Sequence, residues 1–105
     1  MNSAIWADYA ESYAHMLRAL ADVCDYVGRY PEDSSFSHIL SEAHSLGLLQ
    51  EEELADMGVV NRSTANRWIN GKTRPSKLEQ RVILQKLAGL LRKEVMEAVA
   101  GARCA

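Results

Sequence analysis

Apolar residues recur in the first part of the chain at alternating steps of three and four. The stripe consists of Trp6, Tyr9, Tyr13, Met16, Leu20, Val23 and Val27. This is the spacing of heptad a and d positions, so it predicts an amphipathic helix over residues 1–30 that starts after Asn2 or Ser3 and ends near Gly28. The stripe is widened by one position by Ala10, Leu17 and Cys24. Two roles remain open for it, packing within the monomer and contact with a second copy.

Turn residues and apolar periodicity predict four further helices. The second follows a linker at residues 28–35, and the third runs from Gln50 to about Met57. Asn61 is placed to cap a fourth helix, and Pro75 opens a long fifth helix. The apolar positions are Phe36, Ile39, Leu40, Ala43 and Leu46 on the second helix, and Leu78, Val82, Ile83, Leu87, Leu90, Leu91, Val95 and Val99 on the fifth. Strand-like alternation does not occur, so the predicted fold class is all-α with about five helices.

Length and composition fit one small domain, whereas the charge is unevenly distributed. The chain has 105 residues, of which 48% are apolar, which excludes a large multi-domain enzyme. Its net charge is −2, but residues 1–60 hold two arginines and eleven acidic residues, while residues 61–93 hold nine Lys or Arg and one Glu. A segment of charge +8 in an otherwise acidic chain predicts a surface that binds a polyanion.

Residues 48–76, which overlap the start of the basic segment, contain a short helix, a tight turn and a second short helix. These are the parts of a helix-turn-helix, whose second helix enters the DNA major groove. The residues expected where the two helices touch are Leu54, Ala55, Val60, Ala65 and Trp68. The side chains expected to point outward are Arg62, Ser63, Asn66 and Arg67, with Thr64 at the edge. Arginine can donate to guanine, asparagine can pair with adenine and serine can contact either, so these four are predicted to contact base edges. The residues expected to contact the phosphate backbone from the following loop are Asn70, Lys72, Thr73, Arg74 and Lys77.

Residues 35–91 resemble the Cro/repressor-type, or Xre-like, helix-turn-helix family of phage and bacterial regulators. The resemblance is carried by LQEEELA at residues 49–55 and by RSTANRWINGK at residues 62–72. It implies a sequence-specific regulator of transcription, either repressor or activator, that binds double-stranded DNA with the helix at about 61–70 in the major groove. The resemblance implies base contacts from Arg62, Ser63, Asn66 and Arg67 and backbone contacts from Thr64, Asn70, Lys72 and Arg74. Such modules usually act as homodimers, and the long first and last helices offer apolar faces for pairing.

Three positions depart from the family's pattern. The family's turn glycine corresponds to Val59, where a positive φ costs more than about 1 kcal/mol, so we expect the turn to be re-set around Gly58. The family's glutamine at the start of the first helix corresponds to Glu51, which would repel a phosphate, so Gln50 is predicted to make that backbone contact. Ile69 replaces a usual polar residue and is expected to pack on the N-terminal helix or on a second subunit.

These observations divide the chain into an N-terminal helix at residues 1–30 for packing or dimerisation, a DNA-binding domain at 35–92 and a C-terminal end at 93–105. The acidic first half is interpreted either as a solubilising surface that balances the basic one, or as a docking surface for RNA polymerase or another regulator. The alternative function is a protein-interaction module on the same fold, such as an antitoxin or anti-activator with weak DNA binding. Salt dependence separates the two functions, because DNA affinity falls steeply with salt.

Other chemistry has no support in the sequence. Cys24 is interpreted as a core residue and Cys104 as incidental, since their spacing fits neither a disulfide framework nor a zinc site. The acidic cluster at Glu51, Glu52, Glu53 and Asp56 is interpreted as a solvated helix face. Nucleophile and phosphate-loop motifs do not occur, so we expect no enzyme activity, cofactor or metal. Membrane-span and leader patterns do not occur either, which favours a cytoplasmic, nucleoid-associated protein.

Overall fold

The computed structural model describes residues 3–32 and 34–104, with side chains at 8–32 and 34–101. These residues form five helices and no strand, which confirms the all-α prediction. The helices are α1 (Ser3–Arg29), α2 (Ser35–Ser45), α3 (Glu51–Gly58), α4 (Arg62–Ile69) and α5 (Lys77–Cys104). Asn2 and the side chains of Trp6 and Cys104 lie outside the described part. Within that part, none of the helices combines the length and apolar character needed to span a bilayer.

The most extensive contact between helices joins α1 to α5. The buried side chains on α1 are Ala14, Leu17, Ala21, Cys24 and Val27, and those on α5 are Gln80, Ile83, Leu84, Leu87, Ala88, Leu91 and Val95. The small residues Ala14 and Ala21 allow close approach of the two helix axes. Since α5 runs without a break through residue 92, α1 and both ends of α5 share one core, and the division into three segments stays a prediction.

Only part of the apolar stripe predicted on α1 packs within the monomer. Leu17 and Cys24, which widen the stripe, are fully buried, whereas Tyr9, Tyr13 and Met16 are exposed. The helix has two adjoining apolar faces, and α5 covers the one that carries the alanines. Among the apolar positions noted on the other helices, the exposed ones are Leu46 of α2 and Leu78 and Val82 of α5.

The second part of the core joins α2, α3 and α4. Phe36 of α2 meets Trp68 of α4 edge to face, with ring centroids 6.2 Å apart. Leu54 and Ala65 are buried beside them and Val60 is half-buried, as predicted for the contact between α3 and α4. Ile69, predicted to pack on the N-terminal helix or on a second subunit, is buried within this monomer, which leaves the second of these two contacts without exposed surface.

The turn between α3 and α4 corrects the prediction that it is re-set around Gly58. Val59 itself adopts the left-handed conformation, with φ 54° and ψ 48°. The N–H of Val60 bonds to the carbonyl of Ala55 at 2.9 Å, and that of Val59 bonds to Asp56 at 3.3 Å, which is the Schellman pattern that ends a helix. Gly58 lies inside α3, where an added Cβ would come within 2.6 Å of the Trp68 ring. Glycine is therefore needed there for the close approach of the indole, and the hydrogen bonds of the turn hold valine in a conformation that is costly for it.

Candidate nucleic-acid interface

The helices α3 and α4 begin after the capping residues Gln50 and Asn61, and the cap at Asn61 confirms the prediction from the sequence. The Asn61 side chain accepts a hydrogen bond from the backbone N–H of Thr64 at 2.8 Å, which stabilises the first turn of α4. At the start of α3, the Glu53 carboxylate accepts from the backbone N–H of Gln50 at 2.9 Å. Of the two caps, only that of Asn61 lies in the turn between α3 and α4, directly before the outward side chains of α4.

The α4 helix separates its side chains as predicted. Ala65, Trp68 and Ile69 are buried against α2 and α3. The exposed side chains are Arg62, Ser63, Asn66, Arg67 and Asn70. A single surface groove of about 530 Å³ is lined by Arg62, Ser63, Asn66, Arg67, Lys72 and Glu51. The four predicted base-contacting residues therefore lie on one concave face, together with one predicted phosphate contact and one carboxylate.

Two glutamates of α3 contact the outward side chains of α4. The Glu51 carboxylate accepts a hydrogen bond from the side-chain amide of Asn66 at 3.0 Å and lies 3.7 Å from the Arg62 guanidinium. Glu52 lies 3.2 Å from Arg62. The interpretation of these acids as a solvated face missed this role. The available signal was the correspondence of Glu51 to a family glutamine, which led to the prediction that this carboxylate lies near a phosphate.

The side chain of Asn70 also contacts Asn66, on the acceptor side of the Asn66 amide. Its side-chain amide donates to the backbone carbonyl of Asn66 and to the Asn66 side-chain oxygen, both at 3.0 Å. The donor side of the Asn66 amide therefore faces Glu51, and its acceptor side faces Asn70. This arrangement orients the amide that is predicted to pair with adenine.

The remaining predicted phosphate contacts lie outside this groove. Arg74 and Lys77 line a second groove of about 320 Å³ beside Pro31 and Glu32. Thr73 and Gln50 are exposed and Thr64 is half-buried, and none of them lines the first groove. The structure thus brings together Lys72 with the α4 residues and separates Arg74 and Lys77 from them.

Part of the basic segment serves the fold. Arg92 of α5 donates to Asp25 of α1 and, at 3.3 Å, to Asp22, and these hydrogen bonds raise the pKa of the guanidinium. The Lys86 ammonium donates to the backbone carbonyl of Met57 near the end of α3 at 2.9 Å. The +8 total therefore overstates the charge available to a polyanion. Among the described residues, no group of three or more His, Cys, Asp and Glu side chains could hold a metal ion.

The comparison with protein families bears on this segment directly. A family model described as helix-turn-helix matches residues 45–79. This segment, about a third of the chain, is similar to that helix-turn-helix family. The matched helix-turn-helix covers α3, α4, the turn between them and the loop up to the start of α5. DNA binding is thereby supported at the level of the family. The comparisons found no match to this chain among curated proteins or solved structures.

Proposed function

We propose that this protein is a sequence-specific regulator of transcription that binds double-stranded DNA with α4 in the major groove. The observation that carries the proposal is the groove in which Arg62, Ser63, Asn66 and Arg67 project together from one exposed face of a helix-turn-helix. The chemistry of these four side chains suits guanine and adenine edges. Whether binding represses or activates depends on where the site lies relative to a promoter.

The proposed phosphate contacts surround this face. Lys72 adjoins the α4 residues, and its ammonium supplies affinity with little sequence information. The further proposed contacts are Gln50, Thr64, Asn70, Thr73, Arg74 and Lys77. The protein would act in the cytoplasm on chromosomal DNA, as a homodimer, and docking of RNA polymerase or another regulator on the acidic first half stays a prediction.

Selection from random duplexes, followed by affinity measurements on the selected site, tests the proposal. Arg67→Ala should relax the preference at one position and cost about 1–3 kcal/mol on the selected site. Lys72→Ala should weaken binding to all sequences alike. Lys93→Ala, which removes the same charge from an exposed position on α5 outside both grooves, is the matched control and should change little.

Two outcomes would contradict the proposal. If selection yields no preferred sequence, or if Arg67→Ala leaves the preference unchanged, α4 does not contact base edges. If binding to duplex is weak and insensitive to salt, the alternative of a protein-interaction module is favoured, because neutralisation of phosphates releases counterions and makes affinity fall with salt.

A further inference from the structure

The exposed side of α1 carries a continuous surface without charge. Its large side chains are Tyr9, Tyr13, Met16, Val23, Tyr26 and, directly after the helix, Tyr30, which together we term the tyrosine face. If Tyr13 is taken as heptad position a, these residues occupy positions a, d and g, which span about a third of the helix circumference. Every Asp, Glu, Arg and His between residues 8 and 30 falls at positions c and f instead. The helix therefore has three sectors: one buried against α5, one charged, and one apolar and exposed.

The size of the tyrosine face matches what a stable pair of proteins requires. Its six side chains expose between 37% and 67% of their surface. At roughly 200 Å² for a side chain of this size, the face offers about 600 Å². A symmetric pair would bury about 1,200 Å² in all, which is the lower bound for specific interfaces. An exposed apolar surface of this extent marks an interaction site.

The shape of the face is complementary to itself. Beside its C-terminal half, a groove of about 430 Å³ opens between α1 and α2, lined by Leu20, Val23, His38, Ile39, Ser41 and Glu42. Its N-terminal half projects Tyr9 and Tyr13. Met16 lies midway between Tyr9 and Val23, so a two-fold axis at Met16 sets the tyrosines of each copy over the groove of the other. In a symmetric contact of this kind, the projecting end and the groove are each used twice.

We infer that two copies of this chain pair through their tyrosine faces, with the two α1 helices antiparallel and Met16 near the two-fold axis. The tyrosine face itself carries no charge, and the groove beside it adds only Glu42 and His38, so apolar area dominates the contact and favours a second copy over a strongly acidic or basic partner. Tyrosine suits such a contact, since the ring supplies apolar area and the hydroxyl can remain hydrogen-bonded at the rim. The second copy would be the partner of the proposed DNA-binding regulator, but formation of the pair does not depend on DNA binding.

The oligomeric state of the full chain, measured by sedimentation or by light scattering without DNA, tests the inference. The natural chain should have about twice the 11.7 kDa mass of one copy. Met16→Glu and Val23→Glu should each raise the dimer dissociation constant at least about tenfold, because an unpaired carboxylate would be buried. His15→Glu places the same charge one residue away in the charged sector and should leave the dimer intact. Circular dichroism of each variant checks that the helices remain folded.

Cross-linking tests the orientation in a Cys104→Ser background, where Cys24 is buried. A mixture of Tyr9→Cys and Val23→Cys chains should form mixed disulfides in preference to pairs of either alone. A natural chain that is monomeric at about 100 µM, well above the micromolar range of functional dimers, would overturn the inference and assign the face to another protein. A dimer that persists in both glutamate variants, or preferential Tyr9→Cys pairs, would overturn it too. Arg67→Ala should stay dimeric, so failure of the DNA-binding proposal can be told apart from failure of this one.

Discussion

Replacement of Glu51 by glutamine tests whether α3 tunes the affinity of α4 for DNA. The carboxylate is mostly shielded, with 25% of the side chain exposed, and it contacts both Asn66 and Arg62. Glutamine has nearly the same shape, and its side-chain oxygen can still accept the hydrogen bond from Asn66. The substitution therefore removes one negative charge from the groove and leaves the orientation of Asn66 in place.

The expected gain in affinity follows from two contributions. A carboxylate about 7 Å from a phosphate repels it by roughly 0.6–1.2 kcal/mol at effective dielectric constants of about 80 to 40, before screening by salt. The partly exposed ion pair of Arg62 with Glu51 is worth at most about 1 kcal/mol. In the variant Arg62 keeps only its ion pair with Glu52, so less free energy is needed to release the guanidinium toward DNA. After screening, we expect Glu51→Gln to tighten binding by about 1 kcal/mol, or about fivefold.

Fluorescence anisotropy with the selected duplex and a scrambled duplex measures this change. Both duplexes should gain affinity, and the gain should shrink as salt is raised. Glu53→Gln is the matched control, because it removes the same charge from the same turn of α3 and keeps an acceptor for the Gln50 N–H. The reasoning is refuted if Glu51→Gln weakens binding, which would make the carboxylate a direct contact, or if Glu53→Gln tightens it equally.

Three further predictions concern the fold. Val59→Gly should stabilise the protein by about 1 kcal/mol, because the valine is 88% exposed and has a left-handed backbone conformation. Calorimetry should show a melting temperature higher by roughly 4–8 °C, and a lower one would contradict backbone strain at Val59. Gly58→Ala should cost about 1–3 kcal/mol in urea denaturation through its clash with Trp68, whereas a neutral effect would show that the indole can shift. Burial, with the nearby charge of Asp25, raises the pKa of the Cys24 thiol from 9.0 to about 12. The stability that the neutral thiol contributes is therefore complete below pH 9.0 and is lost as the pH rises toward 12. Cys24→Ala should therefore lose stability less steeply over that pH range in urea denaturation, and equal slopes for the two proteins would contradict the assignment.

Local signals in the sequence were sufficient to predict the helices and to predict which side of α4 is exposed. Asn61 caps its helix through a neighbour three residues away, and the burial of Trp68 follows from helical spacing alone. The same spacing exposes Arg67 on the opposite side of α4. Such features depend on contacts within a single turn, so they can be predicted without knowledge of the tertiary structure.

Features that depend on distant contacts could not be predicted. Periodicity located one broad apolar stripe on α1, but which part of the stripe is buried depends on α5, which lies at the other end of the chain. The hydrogen bond between Glu51 and Asn66 joins residues fifteen positions apart on different helices. At Val59, the local preference against a positive φ was outweighed by the hydrogen bonds that end α3.

The pairing of α1 with α5 makes the helix-turn-helix an insertion within a long helical hairpin. Residues 30–76, 47 in all, separate the two arms, whereas residues 59–61 separate α3 from α4. Closing the longer connection costs about 2 kcal/mol more chain entropy than closing the shorter one. We therefore expect α3 and α4 to associate early in folding and the two arms to close last. A fragment cut at residues 35–92 would leave the apolar side of α5 without its partner, so the DNA-binding segment is not expected to fold independently of the helix that begins the chain.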